Sequence, residues 1–340
     1  MRSLLIDRAG QARLGALAVP EPGSEDVLLR IRTIGFCGSD LNTYRGLNPL
    51  VTYPRVPGHE IAAEIVALGD DVPDGLLTAG MHVTVYPYTS CGTCPACRRG
   101  RTNACRDNQT LGVQRDGALT ELIAVPWRKV VRADGLSLRE LALVEPLSVG
   151  FHAVTRGRVA SGDVVVVIGC GAVGLGAVAG AHALGAHVVA VDVDDAKLAL
   201  AQAAGARDLV NSPASSLRDR IAALTSGDRA DVVIEAVGLA ETFVAAVEAV
   251  AFTGRVVYIG YTKGAVAYDT SLFVKKELDI LGSRNATLDD FRDVSEMLRR
   301  GTFPTDGAVT RSVSLEGAAE ALEEWHRDPR VVTRIHVDVS

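Results

Sequence analysis

Residues 164–192 read V-V-V-V-I-G-C-G-A-V-G, then an alanine-rich apolar run, then V-V-A-V-D. A short β-branched run suits a strand buried on both faces, and the alanine-rich run after it suits a packed helix. Between them Gly169 permits a tight turn, Gly171 lets the backbone approach a ligand, and Gly174 lets the helix lie close to the sheet, with Ala172 and Val173 completing the turn. A second strand then ends on Asp192, eighteen residues past Gly174. That order predicts a βαβ unit holding a dinucleotide pyrophosphate at a helix N-terminus. The stretch carries no Asp, Glu, Lys or Arg before Asp192, and Gly176 and Gly180 mimic a membrane helix-pairing motif. Six glycines and the switch from strand-like to helix-like composition argue against a membrane span.

A chain of 340 residues has room for two domains with separate cores. A formal charge of −6, without any Lys/Arg block, argues against a nucleic-acid or anionic-membrane partner. The opening M-R-S-L-L-I-D-R-A-G places Asp7 and Arg8 where a secretory apolar core would continue, so a cytoplasmic location is expected.

The first 150 residues are rich in turns and strand-like runs: V-L-L-R-I-R-T-I-G, I-A-A-E-I-V-A-L-G and H-V-T-V-Y-P. They predict a largely antiparallel β domain. From 161 onward strands and helices alternate. Strands are expected at 231–235, 255–259, 278–282 and near Leu209, and helices at 195–204, 215–224 and 240–250. With the first two strands this makes about six, enough for a doubly wound parallel sheet. Helices at 288–300 and 315–327 and a strand in V-V-T-R-I-H-V-D-V close the chain, and this tail is expected to return to the first domain. The fold class is α/β: a mainly β domain over 1–150 and 285–340, and a Rossmann domain over 151–284.

Six cysteines cluster unevenly. Cys91, Cys94, Cys97 and Cys105 fall within fifteen residues, with Gly92, Pro95 and Gly100 bending the loop. Buried thiols, an iron–sulfur cluster and a redox C-x-x-C are the alternatives; four ligands from one short lobe (91–105) favour a closed tetrahedral zinc site. A second donor set is dispersed: Cys37 in G-F-C-G-S-D, His59 and Glu60 in P-G-H-E-I, and Glu145 in V-E-P-L-S-V-G. A soft thiolate, an imidazole and carboxylates make a plausible catalytic zinc set with an exchangeable position.

Taken together, G-F-C-G-S-D, G-H-E, the four-cysteine lobe, E-P-L-S-V-G and G-x-G-x-x-G occur in the order of the zinc-containing medium-chain dehydrogenases, and the chain resembles that family end to end. It is similar to the sorbitol (polyol) and threonine dehydrogenase branch more than to the alcohol dehydrogenases that place a second cysteine near the segment carrying Glu145. The resemblance implies a GroES-like catalytic domain, two zinc ions and NAD. It implies Cys37, His59 and Glu60 as zinc ligands, with Glu145 either a fourth ligand or a partner of zinc-bound water. Cys37, Glu60 and Glu145 sum to −3 against +2, which would leave a poor Lewis acid, so Glu145 should stay outside the metal or leave it when substrate binds. Ser39 matches the family's first proton-relay hydroxyl. Where a common family pattern, C-G-S-D-x-H, ends in His, this chain has Asn42, which does not titrate near neutrality. Asp40 reads as a loop-bonding residue rather than a base.

Asp192 at the end of the second strand is expected to accept both ribose hydroxyls, and with Asp194 and Asp195 to repel a 2′-phosphate; Lys197 flanks the adenosine. Val237, Gly238, Ile259, Gly260 and Tyr261 fall at the carboxyl ends of later strands, where such sheets bind ligands. Ser283 and Arg284 match family positions near nicotinamide and substrate, and Tyr44 and Gln114 are candidates for the cleft. The resemblance implies oxidation of a secondary alcohol of a polyol, cyclitol or sugar acid, in a homodimer or homotetramer. A threonine or butanediol dehydrogenase, and a non-enzymatic NAD- and zinc-binding protein on the same fold, are the alternatives. NAD should be strongly preferred over NADP, and Asp192→Ala should narrow that preference in steady-state assays with both cofactors. Wild-type reduction of NADP as efficient as that of NAD would refute the reading of the second strand.

Overall fold

The computed structural model describes residues 1–211, 213, 216–262, 264–328 and 334–339. The chain divides into two compact units, one of Met1–Glu145, Phe291–Arg300 and Thr305–Ser340, the other of Pro146–Asp290 and Gly301–Pro304. These units are cut at 145/146 and 290/291, within about six residues of 150/151 and 284/285. Both cuts fall near the starts of continuous helices, Val144–Arg156 and Leu288–Arg299, where composition does not change.

In the first unit a seven-stranded sheet is built around the Asp26–Gly35 strand. Val27, Leu29 and Ile31 alternate into the core, as do Ile61, Ala63 and Ile65 of the antiparallel Glu60–Leu68 strand. The register shifts between Ile31 and Thr33, which returns Ile34 to the core opposite Ile61 and sets Gly35 opposite Glu60. Alternation with Ile61 puts Glu60 on the opposite face of its own strand, and Cys37 follows just past the end of the Asp26–Gly35 strand. The tail does return: Ile335–Asp338 pairs antiparallel with Asp26–Gly35, and Ala318, Leu322 and Trp325 of helix Ala318–Arg327 pack into the same core. That helix starts three residues later than its apolar pattern implied, because Leu315 enters the core from a turn. The hairpin of Arg2–Arg8 with Gln11–Ala16 and the short strands Leu122–Pro126, Val130–Arg132 and Arg311–Ser314 were not expected; Gln11–Ala16 and Arg311–Ser314 carry little apolar signal, and the others are short apolar runs. Of the expected closing strand, 331–333 lie outside the described residues.

The second unit is a six-stranded parallel sheet in the order Asp208–Asn211, His187–Asp192, Val164–Ile168, Ala230–Glu235, Val250–Tyr258, Asp279–Gly282. Chain order reverses between Val164–Ile168 and Ala230–Glu235, so the carboxyl ends of these two strands flank the crevice where such sheets take ligands. Helices Asp195–Ala203, Leu217–Leu224 and Ala240–Ala249 fall where expected; Ser215 lies outside the described residues. The last of these is closed by Lys276, whose buried ammonium donates to the carbonyls of Val247, Glu248 and Val250 at 3.0, 3.2 and 2.8 Å. Gly176 and Gly180 use their missing side chains within the unit, against Leu147 O and the Phe151 ring. No helix among the described residues is long and apolar enough to cross a membrane.

Gly169 has φ +94°, and a Cβ on Gly174 would overlap Gly169 O, whereas a Cβ on Gly171 would meet nothing within 4 Å. Gly174→Ala should therefore lower the unfolding free energy by about 1–3 kcal/mol, as overpacking does, in chemical denaturation. Gly171→Ala should change it by less than about 0.5 kcal/mol while weakening dinucleotide binding. Equal destabilisation by the two would contradict these separate roles.

Candidate active site

Cys37 ends the loop that leaves the Asp26–Gly35 strand and begins helix Gly38–Tyr44; His59 and Glu60 open the neighbouring strand. One ligand atom from each of Cys37, His59 and Glu60 lies within 4.8 Å of the others. Asp40, fully buried, joins the two segments: its Oδ2 accepts from Cys37 N at 2.9 Å and its Oδ1 from Gly58 N at 3.2 Å. That is the loop-bonding role expected of it. Burial pushes the Asp40 carboxyl up, and the charge on His59 and the two backbone N–H groups act against that rise.

Burial alone would raise the Cys37 thiol, but the hydrogen bond and charge of His59 hold it below its ordinary value. Burial likewise opposes the His59 imidazolium, yet Cys37, Glu145 and Asp40 hold its pKa up to about 10. A thiolate, an imidazole with a buried Nδ1 that has no hydrogen-bond partner, and a carboxylate converging at this spacing fit a zinc ion. Arg334 escaped sequence reasoning: its buried guanidinium forms an ion pair with Glu60, reaching it from a point almost at the other end of the chain. Gly35 makes room for that pair, since a Cβ there would overlap Glu60 Oε2 and lie 3.2 Å from Arg334. A lone arginine before a strand gives no sequence signal for this.

Glu145 is buried beside this set without joining it. Its Oε1 accepts a short hydrogen bond from the Tyr88 hydroxyl, and burial raises its pKa. Burial, with the Glu145 charge, holds the Tyr88 hydroxyl well above its ordinary value and therefore protonated. Ser39 Oγ is buried and has no hydrogen-bond partner, which leaves it available to a substrate. Tyr44 and Gln114 are otherwise engaged: the Tyr44 hydroxyl donates to Gly10 O at 3.2 Å, and Gln114 Oε1 accepts from Thr110 N at 2.8 Å.

In the lobe, sulfur–sulfur separations are 3.5 Å for Cys94–Cys97, 3.9 Å for Cys94–Cys105 and 3.6 Å for Cys91–Cys105. A tetrahedron with zinc–sulfur arms of about 2.3 Å has edges of about 3.8 Å, so the four thiols have the size of a zinc cage. They are far too separated for disulfides, and all six cysteines are free thiols. Backbone N–H groups point at the sulfurs; those of Arg106 and Cys97 pull the Cys94 thiol down to about 6.

In the second unit Gly169, Gly171, Asp192, Lys197 and Val237 line one cavity of about 420 Å³. Asp192 accepts from Cys170 N and Val193 N, both at 2.8 Å, and from Asp194 N at 3.1 Å, which fixes its carboxylate at the cavity edge. Asp194 caps the next helix through Ala196 N and Lys197 N. Glu235 is a further residue that sequence reasoning passed over. Fully buried, its Oε1 accepts from Val237 N, Gly238 N and the Thr242 hydroxyl at 2.9, 2.8 and 2.7 Å, and so shapes the loop over Gly169. Gly238, Ile259, Gly260 and Tyr261 follow strand ends as expected without lining this cavity, and Tyr261 is largely exposed. Ser283 Oγ is buried without a partner, and Arg284 is exposed.

Residues 23–135 match the alcohol dehydrogenase GroES-like domain and residues 172–300 the zinc-binding dehydrogenase family. The chain belongs to the zinc-containing medium-chain dehydrogenases. Within them it stands in the polyol branch: it is 37% identical over 305 residues to an L-galactonate-5-dehydrogenase of Escherichia coli (strain K12), covering 90% of this chain and 89% of that one. It is 32% identical over 330 residues to a sorbitol dehydrogenase of Bacillus subtilis (strain 168), with coverage of 95% and 93%. A solved structure of a short chain alcohol dehydrogenase of Escherichia coli CFT073 complexed with NADH matches with a TM-score of 0.91 at 27% identity, over 100% of this chain and 99% of that one.

His59 must give up its proton to ligate a metal. Zinc uptake by the metal-free protein should therefore release a proton, and affinity at the Cys37 site should fall by up to about tenfold per unit as pH drops below 10. Titration calorimetry in buffers of different ionisation enthalpy reads this; uptake without proton release would contradict the thiolate–imidazolium pair.

Proposed function

We propose that this protein is a zinc- and NAD-dependent dehydrogenase that oxidises a secondary alcohol of a polyol, cyclitol or sugar acid to the ketone. The observation that carries the reading is the convergence of Cys37, His59 and Glu60 within 4.8 Å in a chain whose other unit is a dinucleotide fold. Cys37, His59 and Glu60 would hold a zinc ion, which would supply a Lewis acid for the substrate hydroxyl, and the crevice lined by Gly169, Gly171 and Asp192 would hold NAD, which would supply the hydride acceptor. Cys37 and Glu60 bring two negative charges, which balance the ion, and Arg334 steadies Glu60 from behind. Asp40 keeps the two ligand-bearing segments in register. Ser39, buried and unpartnered, relays the hydroxyl proton, accepting it as its own proton passes on toward solvent. Glu145 would bring the ligand charge to −3, and its hydrogen bond to Tyr88 supports a place outside the ligand set.

Asp192 receives the adenosine ribose hydroxyls, with Lys197 beside it; Ser283 and Arg284 serve the nicotinamide and substrate side, where Arg284 suits a carboxylate or a polyol oxygen. The four-cysteine lobe holds the second zinc and stabilises its loop. Similarity to an L-galactonate-5-dehydrogenase and a sorbitol dehydrogenase makes aldonates and hexitols the first substrates to try. Strand Asp279–Gly282 lies at the edge of its sheet with Ile280 partly exposed, which supports assembly of nucleotide units into a homodimer or homotetramer. Four thiolates that must stay reduced suit the cytoplasm.

Elemental analysis should find two zinc ions per chain, with Cys94→Ser and Cys37→Ser each losing a different one and only Cys37→Ser abolishing turnover with the fold intact. In NAD-reduction assays over a panel of polyols and sugar acids, Glu145→Gln should retain zinc and lose about 10- to 100-fold in kcat/KM. A zinc-replete protein that reduces NAD with no member of the panel would refute the proposed substrate class.

A further inference from the structure

Tyr88 sits where the four-cysteine lobe joins the rest of its unit. The chain enters and leaves the lobe through a neck of two short legs. Leu111 N donates to Pro87 O and Thr89 N to Gln109 O, both at 3.1 Å, and Tyr88 forms a β-bridge with Thr110. Gln109 N also donates to Thr89 Oγ1 at 2.7 Å, and the Lys129 ammonium donates to Tyr88 O at 2.6 Å. The Tyr88 ring is 2% exposed and stands edge-on to Tyr86, with centroids 5.0 Å apart and an interplanar angle of 88°. Its backbone and ring are thus held from several sides, and its hydroxyl has one direction to point: at Glu145 Oε1. Glu145 is itself buried at the first turn of helix Val144–Arg156, close to the site, yet absent from the three side chains whose ligand atoms converge. A buried carboxylate next to a dication is drawn toward it unless a donor holds it elsewhere, and a hydroxyl-to-carboxylate bond is a strong restraint of that kind.

We propose that Tyr88 is a positioning residue of the dehydrogenase reaction: its hydroxyl holds Glu145 outside the metal-ligand set and so keeps a coordination position open to substrate. The proposal rests on the dehydrogenase reading of the Cys37–His59–Glu60 site. Without the hydroxyl, Glu145 competes with substrate for that position; saturating substrate displaces it, so the loss falls on KM rather than on kcat.

The test uses holoprotein prepared with cobalt(II) in place of zinc, with the visible cobalt absorption of the Cys37 site taken as the difference between wild type and Cys37→Ser. Tyr88→Phe removes one oxygen and keeps the ring, and the cobalt bands of the lobe report whether the neck is intact. Its KM for the polyol substrate should rise about tenfold with kcat within about twofold of wild type. The cobalt bands of the Cys37 site should shift as the Glu145 carboxylate occupies the position otherwise open to substrate. Made in a Glu145→Gln background, the same substitution should change neither quantity further. A wild-type KM and cobalt spectrum in Tyr88→Phe would overturn the proposal, as would an undiminished KM rise in the Glu145→Gln background. A wild-type cobalt spectrum in Cys37→Ser would overturn the metal-site reading itself, and the proposal with it.

Discussion

The buried carboxylate of Asp40 is the constraint on which the candidate site depends. Each of its oxygens accepts one backbone N–H, from Cys37 on one side and Gly58 on the other, and so fixes two segments whose side chains must converge on one ion. An amide has a single acceptor oxygen and would hold only one of the two segments as well. A carboxylate without water is costly unless its oxygens are paired, so the arrangement stands only because both N–H groups and the charges of His59 and Arg334 face it.

Charge is balanced at each step outward from that point. His59 holds the Cys37 thiol below its ordinary pKa, Arg334 offsets Glu60 in the space left by Gly35, and Glu145 meets the charge of His59 and the hydroxyl of Tyr88. The last contact also gives the four-cysteine lobe a reason to matter to the reaction. The lobe is too closed to do chemistry, but its neck carries the residue that touches Glu145. On the reading proposed above, a metal that orders the lobe would thereby bear on the geometry of the Cys37 site.

The second unit is organised by backbone approach more than by charge. Gly169 turns with a positive φ, Gly174 brings the helix onto the carbonyl of that turn, and Gly171 leaves open space where a ligand's phosphates would approach. Glu235 performs for this crevice what Asp40 does for the metal donors. One buried carboxylate oxygen collects two loop N–H groups and a hydroxyl, and the loop carrying Val237 takes its shape over Gly169.

Much of this protein is legible in its sequence because the signals are local. Glycine spacing after a β-branched run, four cysteines in fifteen residues, and strands that alternate or run apolar are set by backbone sterics and ligand geometry within a few residues. They disclosed the two architectures, the lobe, the six parallel strands and the Cys37, His59 and Glu60 donors. Weakly patterned pieces such as Gln11–Ala16 and Arg311–Ser314 were not legible, since their pairing is dictated by the strands beside them. Tertiary structure alone decided where Glu145 goes and what Arg334, Tyr88 and Glu235 do. Each of these acts through a buried polar contact, most of them with a residue far away in the chain, and such contacts leave no periodicity or motif; only the folded chain, by removing water, makes a partner obligatory and so reveals it.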